Sequence, residues 1–201
     1  MTTAAQWAAQ TMTIAQQRLE IAADNLANLS TNGYRRREAD VVRFAGNLRL
    51  ASRTIETQGA IRPTGNPFDL ALAGHGAFTV QAPDGAIVHT RNGAFSRTDD
   101  GRLTDERGRA LLGRRGPLHV SGQATFAADG TVRDGDRIVD VLELPQGTAL
   151  RQGAIEVSGV EATQELLAIL SAQRSFESGQ RIVSADDAMQ RKAVDDAAKV
   201  R

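Results

Sequence analysis

Apolar positions at both ends of this chain recur every three or four residues, whereas in the middle they alternate in short runs punctuated by glycine. The pattern predicts helix, strands, helix, in that order. From the start, Ala5, Ala8, Met12, Ala15, Leu19, Ala22, Leu26 and Leu29 step by threes and fours without a break, the seam of a coiled coil or a closely packed helix pair. Alanine at half of these positions makes a thin seam, which lets backbones approach closely but buries little area, so the helix is not expected to be stable alone. Thr3 is placed to cap its start and Asn32-Gly33 to end it. A helix from Ala4 to Leu29 would be about 39 Å long.

The second helical pattern opens with Ser158-Gly159-Val160-Glu161, which has the spacing of a capping box. Its seam reads Ala162, Leu166, Ile169, Gln173, Phe176, Gln180, Val183, Asp187, Gln190, Val194 and Ala197. The polar members cost stability and fix register or partner. A helix from Glu161 to Ala198 would be about 57 Å long, more than a domain of this size hides. It either extends from the body or packs on other chains.

Between the helices, residues 64–150 carry one turn signal after another, among them Pro83-Asp84-Gly85, Asn92-Gly93, Asp100-Gly101, Arg107-Gly108, Asp129-Gly130 and Asp134-Gly135. Short alternating runs between them predict an antiparallel all-β domain built of hairpins, with Phe68, Phe78, Phe95 and Phe126 in its core. Residues 35–63 read as a linker or extended segment, starting at Arg35-Arg36-Arg37, with a strand near Arg53 to Thr57. The expected fold class is therefore mixed α and β, a central antiparallel β-domain flanked by terminal helices that pair as a coiled-coil-like assembly module. The expected division is a helix over 1–34, a linker over 35–63, a β-domain over 64–157 and a second helix over 158–201.

Composition narrows the function by exclusion. With 24 basic against 24 acidic residues, the chain lacks the basic footprint that a phosphate backbone requires, so no nucleic-acid partner is expected. No apolar run approaches the roughly 18 residues of a membrane span, and the polar start lacks a signal-peptide pattern, so neither membrane insertion nor a cleavable signal is expected. With no cysteine in the chain, disulfides and thiolate zinc sites are impossible. His75, His89 and His119 match no metal-ligand spacing. There is no Gly-x-Ser-x-Gly elbow, and the adjacent carboxylates Asp99-Asp100, Asp186-Asp187 and Asp195-Asp196 diverge on any regular element. Neither enzyme activity nor a cofactor or metal is expected.

The stretch from Ala23 through Asn25-Leu26-Ala27-Asn28-Leu29 to Gly33-Tyr34-Arg35 resembles the N-terminal signature of the bacterial flagellar rod and hook axial proteins. Two further passages are similar to that family. One runs from Thr64-Gly65-Asn66-Pro67 through Leu72, Gly76 to Val80 and His89 to Phe95; the other joins Gly153 to Val160 with Gln173 to Glu177, Asp187 and Met189. Asp24 stands where the family usually has asparagine, Gly159 replaces an asparagine, and the connection between Leu150 and Gly153 is shorter than usual. Thr64 to Pro67 and Ala127 to Val132 look closest to the proximal-rod member.

The resemblance implies a structural subunit that polymerises through its terminal helices into a helical shaft for motility. Its implied partners are copies of itself, other rod and hook axial proteins and the flagellar type III export apparatus, and its implied place is the periplasmic rod of the basal body. The expected assembly interface comprises Ala5, Ala8, Met12, Ala15, Leu19, Ala22, Asn25, Leu26, Asn28 and Leu29 on the first segment. On the second it comprises Leu166, Ile169, Gln173, Phe176 and Val183. The alternative is a soluble flagellar adaptor or regulatory module that binds one partner through its helices.

Overall fold

The computed structural model describes the backbone of residues 3–44 and 47–199, and the side chains of residues 4–42 and 50–195. The described chain forms two units. One contains residues 3–27, 36–55 and 160–199; the other contains Asn28–Arg35 and Glu56–Gly159.

The first unit is built on two helices, α1 (Thr3–Ala27) and α2 (Ala162–Lys199). The seam of α1 is as thin as its sequence: the apolar residues it buries are Ala5, Ala8, Ile14, Ala15 and Ala22. The cap expected at Thr3 rests on a side chain outside the described residues. Helix α1 stops at Ala27 rather than Leu29, because Asn28 to Ser30 already turn. Helix α2 begins at Ala162, with the Glu161 carbonyl accepting from the Glu165 N–H at 3.2 Å. Glu161 thus precedes the helix instead of occupying its first turn.

Residues 37–54, expected as extended linker, form a hairpin instead. Strand β1 (Arg37–Phe44) pairs antiparallel with β2 (Asn47–Thr54), from Arg37 opposite Thr54 to Phe44 opposite Asn47. Charges on both faces hide the alternation: Arg53 pairs with Glu38 and Asp40 on one face, and Arg37 donates to the Ser52 hydroxyl on the other. The strand expected over Arg53 to Thr57 is only the last two residues of β2.

The second unit is the expected antiparallel β-domain. Strand β3 (Ile61–Pro63) pairs with β15 (Ala154–Glu156), and β4 (Leu70–Ala73) pairs with β14 (Ala149–Gln152). A six-stranded sheet has the order β6 (Ile87–Thr90), β5 (Phe78–Gln81), β9 (Ala110–Gly113), β8 (Leu103–Thr104) and β7 (Ser96–Arg97), with β10 (Gly116–Pro117) on β9. A three-stranded sheet orders β11 (Ala124–Phe126), β12 (Thr131–Asp134) and β13 (Arg137–Val141). Most turn signals sit where hairpins need them, but Asn92-Gly93 does not; the Gly93 carbonyl accepts from Leu70, and Ala94 bridges Asp69. In the turn joining β7 to β8, the Thr98 hydroxyl first and Arg102 second hold the exposed Asp100 carboxyl down to about 2.

Phe78, Phe95 and Phe126 are buried and Phe68 packs against them in part. Phe78 and Phe95 meet edge to face with centroids 5.5 Å apart, a geometry that favours both ring quadrupoles. Leu70, Leu72, Val80, Leu103, Leu111 and Val132 complete the centre of this core. Gly33 holds the 28–35 segment on this unit. Its φ is 68°, and a Cβ there would lie 2.4 Å from the backbone carbonyl carbon of Arg91, so only glycine fits.

Candidate assembly surface

Helices α1 and α2 run antiparallel, since Asn25 meets Glu165 near one end and Met12 lies on Gly179 further along. The approach is close at Gly179, where a Cβ would stand 2.4 Å from Met12 Cγ and 3.3 Å from the Ala8 carbonyl oxygen. Ala172, one heptad before Gly179, is also buried. Small residues at heptad spacing let the backbones come together, as a thin seam on α1 demands.

At the other end the pair is pinned by hydrogen bonds. Glu165 is 1% exposed and Asn25 is fully buried. The Asn25 amide donates to Glu165 at 3.1 Å and to the Arg37 carbonyl at 2.8 Å, and its oxygen accepts from the Arg37 N–H at 2.9 Å. Arg36 Nε donates to Glu165 at 2.5 Å, and that bond is the main reason its guanidinium pKa stands above the ordinary value. Removing either partner leaves a buried polar group unsatisfied. Asn25→Ala is expected to cost about 1–2 kcal/mol, read as a lower thermal midpoint in the helical circular-dichroism signal.

The α1 seam positions are placed as expected: Ala5, Ala8, Ala15, Ala22 and Asn25 are buried, and Met12, Leu19 and Leu26 are half-buried. Asn28 and Leu29 are not on the helix; they lie in the turn that belongs to the β-unit, and Leu29 is exposed. On α2 the phase is shifted. Ile169, Phe176 and Val183 are half-buried, but Leu166 and Gln173 are exposed, because the inward positions are Glu165, Ala172 and Gly179. Ranking positions by apolar size selects Leu166 over its charged neighbour. The available signal was the Ala172 to Gly179 heptad of small residues, and the need of Arg36 for a carboxylate.

The thin seam leaves two open grooves along the pair. One, of about 850 Å³, has an apolar wall of Trp7, Leu167, Leu170 and Ile182, each between 45% and 62% exposed. The other, of about 540 Å³, runs along Ala15, Leu19, Ala172 and Phe176. Large apolar side chains exposed in a continuous groove mark an interaction surface. Among the described residues no group of three or more His, Asp or Glu is placed to hold a metal, and no helix is long and apolar enough to cross a membrane.

Three family models match along the chain. Residues 6–35 match the one described as flagella basal body rod protein, residues 71–159 the flagellar hook protein FlgE/F/G D1 domain, and residues 151–196 the flagellar basal body rod FlgEFG protein C-terminal. The chain belongs to the flagellar rod and hook protein family. Its first and third matches fall on α1 and α2, the two helices that pair here.

Among relatives, the flagellar basal-body rod protein FlgG of Agrobacterium fabrum is 27% identical, over 90% of this chain and 94% of the relative. The rod protein FlgF of Mesorhizobium japonicum is 28% identical over 81% of this chain and 84% of its own length. FlgF of Salmonella typhimurium is 37% identical over 62% of this chain and 53% of its own. The alignment with the Agrobacterium protein spans 247 residues against the 201 of this chain, so that relative carries insertions.

Proposed function

We propose that this protein is a structural subunit of the bacterial flagellar basal-body rod, near its proximal end, and that it polymerises through α1 and α2 into a helical shaft. The observation that carries the reading is the contrast between the two units. The β-unit closes its own core around Phe78 and Phe95, whereas the helix pair buries mainly alanines and leaves Trp7, Leu167, Leu170 and Ile182 open. A pair of helices so poorly covered gains stability when neighbours supply the missing faces. Repeated heterologous contacts between such faces produce an open filament rather than a closed ring.

In this reading residues 1–34 and 158–201 assemble, the β-domain over 64–157 faces outward, and the hairpin within 35–63 belongs with the assembly helices. The interface is formed by Ala5, Ala8, Met12, Ala15, Leu19, Ala22, Asn25, Leu26, Asn28 and Leu29 together with Leu166, Ile169, Gln173, Phe176 and Val183. The partners are copies of the chain and other rod and hook axial proteins. Delivery is by the flagellar type III export apparatus to the periplasmic rod.

Leu26→Asp and Phe176→Asp place a charge on half-buried seam positions. Each is expected to abolish motility and incorporation into purified basal bodies, while the β-unit keeps its thermal transition. A motile Leu26→Asp strain, or absence of the wild-type chain from basal bodies by mass spectrometry, sinks the proposal.

A further inference from the structure

The groove walled by Trp7, Leu167, Leu170 and Ile182 has an open end. Met12 lies on Gly179; nine residues back along α1 is Thr3, and nine forward along α2 is Ala188. Helix α2 continues to Lys199, so about 11 residues, or roughly 16 Å, run past the level of Thr3. The apolar side chains described on this projecting segment, Met189 and Val194, are each 68% exposed. Met189 lies seven residues after Ile182 and therefore continues the groove stripe, and Val194 lies eleven after the half-buried Val183 and continues the inner seam.

We propose that the projecting end of α2, from Met189 to Asp195, docks in the groove walled by Trp7, Leu167, Leu170 and Ile182 of a second copy of this chain. The inference rests on the rod reading above and specifies which surface of one copy meets which surface of the next. Length fits: from Leu167 to Ile182 the groove runs about 22 Å, enough for the projecting 16 Å. Charge fits as well. Arg174 is the one charged residue in the groove lining and has no ion pair among the described residues, and Asp195 follows Val194 on the exposed segment. Donor and acceptor surfaces are at different places on the chain, so each docked copy presents a fresh groove or a fresh end, and the contact propagates without closing.

The cysteine-free sequence makes the contact testable by disulfide trapping in the full chain. Leu170→Cys combined with Met189→Cys cannot close within one molecule, because the two positions lie 19 residues, or about 28 Å, apart on one helix and a disulfide needs Cα atoms within about 7 Å. A second pair, Ser171→Cys with Gln190→Cys, uses exposed polar positions and guards against an assembly defect from losing an apolar side chain. Basal bodies from strains carrying each pair are oxidised and run without reductant. The expected result is loss of the monomer band into a ladder of dimers, trimers and longer species, absent from the four single variants. Dimers from Leu170→Cys alone would mean groove facing groove and would overturn the proposal. So would basal bodies that contain both paired variants and show no ladder, with the rod reading left standing. Absence of the wild-type chain from basal bodies overturns both.

Discussion

Glu156→Ala is expected to destabilise the β-unit by about 3–5 kcal/mol, a large part of the roughly 5–15 kcal/mol that holds an ordinary domain together. Glu156 is 1% exposed and its partner Arg91 is nearly as deep, with 7% of its side chain exposed. Arg91 donates to the carboxylate through Nε at 2.7 Å and approaches it through Nη2 at 2.6 Å, while its remaining hydrogens reach the carbonyls of Leu72, Gly74 and Gly76. The other carboxylate oxygen accepts from the Gly59 N–H at 3.0 Å and lies 3.5 Å from Arg35. Alanine removes the anion and leaves a guanidinium buried among neutral carbonyls, the costly half of a broken pair.

The same carboxylate ties down the 28–35 segment through Arg35, whose Nη1 also donates to the Glu56 carbonyl at 3.0 Å. The variant should therefore show a lower urea midpoint with an unchanged slope, and faster tryptic cleavage at Arg35. Glu156→Gln keeps the volume and one acceptor and should fall between the two. A Glu156→Ala midpoint equal to that of the wild type would show that the carbonyl cage alone satisfies Arg91.

Two of these buried carboxylates explain what could and could not be read along the chain. The α1 seam was legible because its residues are alanines, leucines and one methionine at an unbroken three-four step. The β-domain was legible because its glycines and Asp-Gly pairs mark turns whatever lies between them. The hairpin over 37–54 was not, since Arg37, Glu38, Asp40 and Arg53 put charges on faces that a half-buried strand would keep apolar, and stabilise it by cross-strand pairs instead. Arg35-Arg36-Arg37 read as a solvated linker, yet successive guanidiniums reach Glu156, Glu165 and Asp24. Arg35 and Arg36 meet these acids across more than a hundred residues, which periodicity does not carry, whereas the Arg37–Asp24 pair, 13 residues apart, is near in sequence. The packing between the helices was thus half legible: Ala5, Ala8, Ala15, Ala22 and Asn25 are buried on α1, whereas on α2 Glu165, Ala172 and Gly179 are buried, one residue before Leu166, Gln173 and Gln180.

That offset makes Gly179, rather than any large apolar residue, the position on α2 with most to lose. Gly179→Leu is expected to cost the helix pair about 3 kcal/mol, the upper end for overpacking. The added Cβ would meet Met12 Cγ at 2.4 Å and Sδ at 3.2 Å, and the Ala8 backbone oxygen at 3.3 Å. Met12 can swing aside for one methyl group, but the three further carbons of leucine extend beyond that Cβ into a gap that the α1 backbone at Ala8 already closes, and they fit only if the helices separate. Gly179→Ala separates these effects. Its clash falls mainly on the flexible thioether, and the gain of about 1 kcal/mol in helix propensity offsets the shift, so its stability should stay near wild type. The seam is thin, so once parted at Gly179 the buried Ala8, Ala15 and Ala172 lose packing together. The measurements are the thermal midpoint of the helical signal and the amount of chain recovered in basal bodies. Leucine should reduce both and alanine neither. Equal loss from both variants would place the constraint in the glycine backbone itself rather than in the closeness of α1.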